Sequence, residues 1–220
     1  MKNIIFIAAP ASGKGTLSEL LMERCGFNHI STGDLLRNII KEQSDLGREV
    51  EEVIKGGNLV SDELMFKIIR DCLENIDRTN PFILDGLPRT LDQAKYLDTL
   101  FDNLNIKEYK VIYLDIDEAT ACKRAIGRQT CTNCGASYNK FFENFMPKEE
   151  NKCDKCGMEL ISRSDDNEES FRVRFNTFTK NTLPIIDYYK KDDKVVEISV
   201  NKYTNDEIFD IILKAVEWVW

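Results

Sequence analysis

The sequence predicts an α/β chain built on a doubly wound parallel sheet, and three observations carry that reading. Short, largely apolar runs recur at Ile4–Ile7, Phe82–Leu84, Val111–Leu114 and Val195–Ile198, the last with Glu197 inside it. Strands buried on both faces by flanking helices have this composition. The intervening stretches are long enough for crossover helices, the connection that parallel strands require. The chain also closes on an amphipathic helix, with Ile208, Ile211, Ile212, Ala215, Val216 and Val219 on one stripe.

Taken in order, Ile4–Ile7 is the first strand, and a glycine-lysine turn follows it. Leu17, Leu20, Leu21 and Cys25 then fall at helical spacing. Residues 31–67 read as all-helical, opened by Ser31-x-x-Asp34 and interrupted at Gly56-Gly57. The strands at 82–84, 111–114 and 195–198 return the chain to the sheet, and Thr204 with Glu207 forms a capping box for the closing helix. Residues 129–165 lose helical periodicity and carry four cysteines. The organisation expected is a core of 1–30, 68–128 and 166–220, with inserts at 31–67 and 129–165.

At 220 residues and 42% hydrophobic, the chain is too apolar for an acidic disordered polymer and can bury a sizeable core. Its net charge of -8 argues against bulk nucleic-acid or anionic-membrane binding, though not against a local basic pocket. No apolar run is long enough to span a membrane, and the N-terminal stretch lacks a small-residue cleavage site. A cytoplasmic chain is therefore expected, with cysteine pairs that read as metal ligands.

Three motifs carry chemistry. Ala8-Ala9-Pro10-Ala11-Ser12-Gly13-Lys14-Gly15-Thr16 joins a strand to a helix, the setting in which backbone N–H groups cradle phosphate at the positive end of a helix. The strict glycine-rich pattern is not met, and a bland turn fits this segment alone. Asp85-Gly86-Leu87-Pro88-Arg89-Thr90 follows the strand 82–84, where ligands of parallel sheets bind. An aspartate there suits hydrated Mg²⁺, and the arginine fork suits phosphate. Ser31-Thr32-Gly33-Asp34-Leu35-Leu36-Arg37 reads alone as a helix cap with a surface arginine. Separately, Cys131-x-x-Cys134 and Cys153-x-x-Cys156 have the spacing of a closed, tetrahedral four-thiolate zinc site. Cys25, Cys72 and Cys122 lie on helix patterns and suit a core, and His29 suits packing or capping.

In their order and separations, the glycine-lysine turn, STGD-x-L-R and DG-x-PR-T with Gln93 behind it resemble the adenylate kinases over the whole chain. The cysteine pairs match that family's long form with a zinc-bearing lid. The resemblance implies a five-stranded core of the P-loop nucleoside monophosphate kinase type, a helical AMP-binding insert and a ribbon-like lid. It implies reversible, Mg²⁺-dependent transfer between ATP and AMP to give ADP, by a monomer with structural zinc and no nucleic-acid or membrane partner. It places ATP on Pro10, Ala11, Ser12, Gly13, Lys14, Gly15, Thr16, Arg124, Arg128 and Lys202. It places AMP on Thr32, Arg37, Val60, Gly86, Arg89, Gln93, Arg163 and Arg174. The charge clamp on the transferring phosphoryl would be Lys14, Arg89, Arg128, Arg163 and Arg174, with Asp85 reaching Mg²⁺ through water. Arg172 has no such match and reads as a surface charge.

The departures are Ala8 and Ala11 where the family has glycine, Leu87 where an aromatic is common, and Val200 where glycine is usual near the donor adenine. An alanine forced to positive φ costs about 1–2 kcal/mol, so weakened nucleotide affinity or turnover is expected. The alternatives are a kinase of GTP:AMP or UMP/CMP type and a catalytically impaired nucleotide-binding homologue.

Overall fold

The structure, a computed structural model, describes residues 1–56 and 58–218. Gly57 of the expected helix break and Val219 of the closing stripe lie outside the described residues. The chain opens with β1 (Asn3–Ala8), α1 (Lys14–Cys25) and β2 (Asn28–Ser31). Three helices follow: α2 (Thr32–Lys41), α3 (Asp45–Lys55) and α4 (Asp62–Asn75). Next come β3 (Phe82–Asp85), α5 (Leu91–Asn103), β4 (Tyr109–Asp115) and α6 (Glu118–Gly127). A small ribbon of β5 (Arg128–Cys131), β6 (Ser137–Asn139) and β7 (Leu160–Ile161) leads to α7 (Glu168–Thr177). One π-helical turn at Phe178–Thr182 joins α7 to α8 (Leu183–Lys190), before β8 (Val195–Ser199) and α9 (Asn205–Ala215).

The main sheet has the order β2-β3-β1-β4-β8, and every neighbouring pair in it is parallel. Ile4, Ile5, Phe6 and Ile7 of β1 are buried, as are Phe82, Ile83 and Leu84 of β3 and Val111, Ile112 and Leu114 of β4. Three of the four expected runs thus stand at the sheet's centre, covered by helices on both faces; the fourth, in β8, lies at the edge, with Val195 and Val196 half-buried and Glu197 exposed. The edge strand β2 is the one that the residue pattern does not announce. Asn28-His29-Ile30-Ser31 holds a single large aliphatic side chain, and its pairing with β3 is what makes it a strand.

Register places the working end of the sheet. Phe6 and Ser31 both pair with Asp85, and Asp115 pairs with Ser199. The carboxyl ends of β1, β2 and β3 therefore finish side by side, with a loop or helix start above each.

The helical insert is punctuated by serine caps. Ser31, Ser44 and Ser61 each accept a hydrogen bond from the backbone N–H three residues on, at Asp34, Gly47 and Leu64. The third of these helices, α4, starts within the expected insert and continues past residue 67 along the core. Thr204 and Glu207 form both bonds of the capping box on α9.

The ribbon is antiparallel, in the order β6-β5-β7. Its own apolar cluster holds only Cys131, Ala136, Cys153 and Leu160, with Tyr138 packed against it. So small a cluster leaves the lid to be held by something other than hydrophobic burial.

Candidate active site

The loop between β1 and α1 builds the first wall. Gly13 caps α1 with φ of 99° and ψ of 8°, a left-handed conformation natural to glycine. That turn swings the chain so that α1 starts at Lys14 with its first N–H groups facing the cleft; helix geometry gives those groups no intrahelical acceptor. Ala11 is held at φ of 61°, also left-handed, without the freedom of a glycine. Ala8 is different: it is the last residue of β1 and is not among the positive-φ positions. Of the two alanine departures, strain attaches to Ala11 and not to Ala8, because a strand residue needs no special φ.

Lys14 donates to Asp85 Oδ1 at 2.5 Å, across the ends of β1 and β3. His29 Nε2 lies 3.7 Å from the other carboxylate oxygen. Burial alone would raise the Asp85 pKa. The Lys14 ammonium, with His29 behind it, outweighs burial and holds the carboxyl well below the usual range. His29 thus packs at the floor of the cleft as expected, beside the carboxylate.

The β3–α5 turn builds the second wall. Gly86, at φ of 89°, lies against Thr32, so that a side chain there would overlap the Thr32 hydroxyl and crowd Arg89. The Arg89 guanidinium donates through Nε to the Gly86 carbonyl at 2.7 Å, and burial lowers its pKa. Gln93 is buried, at 2% exposure, and its side chain bonds both the Arg89 backbone and Asp62. Arg37 is paired with Asp34 on the same helix, at 2.6 Å.

The third wall comes from the lid and α7. Arg128 grips Asp166 with two parallel hydrogen bonds, the Nε one at 2.8 Å; the Asp166 carboxylate has no exposed surface. Arg174 donates to Asp165 at 2.7 Å. Arg163 is depressed to about 10, first by burial and then by the neighbouring Arg128 and Arg37. Burial likewise lowers Arg174 and Arg124. Arg124 also lies with its guanidinium 5.9 Å from the Phe142 ring centroid. Lost water comes first in each case, and for Arg89, Arg163 and Arg174 neighbouring arginines add repulsion, so an incoming polyanion is favoured there.

All three walls face one cleft of about 750 Å³. Lining it are Pro10 through Thr16, Thr32, Arg37, Val60, Asp85, Gly86, Arg89, Gln93, Arg124, Arg128, Arg163 and Arg174. Among the lining residues are eight cations and four carboxylates, a positive pocket inside a chain of net charge -8. Lys202 and Val200 are not brought there. Lys202 is exposed in the turn after β8, and Val200 is buried with its N–H on the Asp115 carbonyl. Asn205 lines the cleft from that end instead. Arg172 is an exposed partner of Glu168, as its lack of a motif implied.

Sequence reasoning missed Asp62, Asp165 and Asp166, the carboxylates that fix the working side chains. The Asp165-Asp166 pair, with one residue between it and Arg163, was a readable signal. Asp62, 31 residues from Gln93, gave none.

The four lid cysteines converge, with every pair of sulfurs within 4.8 Å. Cys131–Cys156, Cys134–Cys153 and Cys134–Cys156 are 3.4, 3.5 and 3.6 Å apart. A tetrahedron with Zn–S bonds of about 2.3 Å has edges of about 3.8 Å, so the set fits zinc closely. Cys153 is held down at about 6: burial opposes ionisation, but the Tyr138 hydroxyl and the N–H groups of Cys156 and Lys155 outweigh it. Cys25, Cys72 and Cys122 behave oppositely, their thiols pushed up by burial against the core.

A phosphate-cradling loop, an aspartate at the next strand end and a cationic lid on a parallel sheet define a phosphotransferase of the nucleoside monophosphate kinase class. The sequence profile of the family described as adenylate kinase matches residues 6–194. The chain belongs to the adenylate kinase family. It is 43% identical to the adenylate kinase of Thermosipho africanus over 197 residues, covering 90% of this chain and 91% of that one. It is 42% identical over 200 residues to that of Archaeoglobus fulgidus, covering 91% of each chain. With the adenylate kinase of Petrotoga mobilis it shares 40% over 212 residues, 95% of this chain and 96% of the other.

Proposed function

We propose that this chain transfers the γ-phosphoryl of MgATP reversibly to AMP, and that the residues of the cleft divide the work as follows. The observation that supports this best is convergence: cations from separate stretches of the chain, Lys14, Arg37, Arg89, Arg124, Arg128, Arg163 and Arg174, line one cleft. In this reading the 10–16 loop binds the ATP phosphates, with Arg124 and Arg128 over the donor nucleotide. Thr32, Arg37, Val60, Gly86, Arg89 and Gln93 seat AMP, and Arg163 and Arg174 close on the phosphoryl in flight.

Such a transfer asks for little covalent chemistry. The acceptor phosphate oxygen attacks, charge spreads over the equatorial oxygens, and preorganised cations stabilise that charge. Lys14 is held over the loop by Asp85 and exchanges that carboxylate for phosphate oxygens when ATP enters. Asp85, released from Lys14, would hold Mg²⁺ through water, where the metal would neutralise charge on the donor phosphates. Asp165 and Asp166 hold Arg174 and Arg128 in place before substrate arrives, so less ordering is left for the reaction itself. The lid covers the cleft and excludes water, which would otherwise accept the phosphoryl; adenylate kinase lids are a standard example of such closure.

Zinc in the four-thiolate site would order the lid and take no part in transfer. No helix among the described residues is long and apolar enough to cross a membrane. In this reading the protein is a monomer in the cytoplasm acting on free nucleotides, and cysteines free of disulfides are in keeping with a reducing compartment.

The test is calorimetric binding of two adenosines joined by five phosphates. One-to-one binding much tighter than that of ATP alone is expected, since both nucleotide seats are filled at once. Binding no tighter than ATP would contradict the two-seat reading.

A further inference from the structure

Gln93 sits at the third position of α5, where Thr90 caps its backbone N–H at 3.2 Å. Its side chain is almost wholly buried and lines the cleft. Two groups grip the amide from opposite chemical sides. The backbone N–H of Arg89 donates to Oε1 at 2.7 Å. Nε2 donates to Asp62 Oδ1 at 2.6 Å.

Neither grip can be reversed. A backbone N–H is a donor only, and an ionised carboxylate is an acceptor only. Turning the amide over would set N–H against N–H and oxygen against carboxylate, leaving buried groups unpaired. Asp62 is the first residue of α4, so the helix start fixes its backbone beside the Gln93 amide.

An amide offers two N–H donors and two acceptor lone pairs. With one of each taken, Gln93 keeps one donor and one acceptor for a ligand, in fixed order. We infer that Asp62 is the specificity-determining residue of the acceptor seat: by locking the Gln93 amide, it selects a 6-aminopurine monophosphate over its 6-oxo counterpart. The inference rests on the reading that Gln93 faces the AMP base. Adenine presents an N6–H donor beside the N1 acceptor, whereas a 6-oxopurine presents an acceptor beside an N1–H donor. A free amide can flip to serve either edge, but a locked one serves a single order. With ribose and phosphate held by Thr32, Arg37 and Arg89, the base cannot turn over to compensate. A site that leaves buried polar groups unpaired discriminates strongly, far more than one that merely loses a contact.

The experiment compares AMP with inosine monophosphate as acceptors, in the zinc-loaded full chain with MgATP. The wild-type chain is expected to prefer AMP by at least about 100-fold in kcat/KM. Asp62→Asn and Asp62→Ala should cut that ratio about tenfold or more, mainly by raising the KM for AMP, with the KM for ATP within about twofold. Adding Asp62→Asn to Gln93→Ala should change the ratio no further, because the lock then has nothing to hold. A ratio unchanged in both Asp62 variants while AMP is still used overturns the lock and leaves the kinase reading intact. A wild-type chain that uses AMP and inosine monophosphate equally also overturns it; one that uses neither overturns both readings. Should the Asp62 variants not fold, the Gln93 side-chain amide signals of the ligand-free wild type decide. One proton shifted strongly downfield by the carboxylate supports the lock, and two ordinary, rapidly exchanging protons overturn it.

Discussion

Ala11 is the sharpest place to test the phosphate loop, because the structure asks its backbone for a conformation that alanine resists. At φ of 61° its Cβ meets the neighbouring carbonyl oxygen, at a cost of about 1–2 kcal/mol. Glycine removes that cost but gives the unfolded chain more freedom, which takes back about 0.5–1 kcal/mol. Ala11→Gly should therefore stabilise the protein by up to about 1.5 kcal/mol, the difference of the two terms. For a chain of this size each kcal/mol moves Tm by about 2–4 °C, so a rise of up to about 6 °C is expected. Ala8→Gly supplies the control with the opposite sign. Ala8 ends β1 in strand conformation, where glycine has only the entropic penalty, so about 0.5–1 kcal/mol should be lost. Scanning calorimetry of the three proteins reads both shifts. Because Ala11 also lines the cleft, its removal should raise kcat/KM for MgATP, by less than about tenfold. A Tm that falls in Ala11→Gly, or moves equally in both variants, would refute the assignment of strain to this residue.

Three further outcomes follow from the site. Gly86→Ala should lower Tm and raise the KM for AMP more than that for ATP, since the methyl both strains a φ of 89° and overlaps the Thr32 hydroxyl; steady-state kinetics with each substrate varied checks this. Removing metal with a chelator should open the segment between Cys131 and Cys156 to protease while the core resists, and added zinc should restore resistance. Asp85 has a depressed pKa in the folded protein, so its contribution is present above the unfolded value of 3.8 and lost as pH falls below it. Asp85→Asn should accordingly be less stable than wild type near neutral pH, with the gap closing in urea melts run progressively below pH 3.8.

The central strands were legible because burial on both faces writes itself as uninterrupted apolar residues, as at Ile4–Ile7. The edge strand β2 was not, since Asn28 to Ser31 is defined by hydrogen bonds to β3 and not by its own side chains. The cleft's cations stood out because a glycine-lysine turn, an arginine after a strand end and an arginine after a serine cap have recognisable spacing. Their partners did not. Asp62 reaches Gln93 from another helix, and a carboxylate at a helix start looks like an ordinary dipole complement. Lys202, assigned to the donor nucleotide by resemblance, stands exposed in the turn after β8, while Asn205 lines the cleft from that end. The sign of the charge was similarly divided, acidic over the chain and basic where three strand ends meet.

The most direct test of the account is phosphorus NMR of the pure, zinc-loaded protein with MgATP and AMP. The account predicts that ADP forms only when AMP is present, with ATP and AMP consumed in equal amounts, and that Arg128→Ala nearly abolishes it. ADP forming from ATP without AMP, or no AMP-dependent ADP at all, would contradict it.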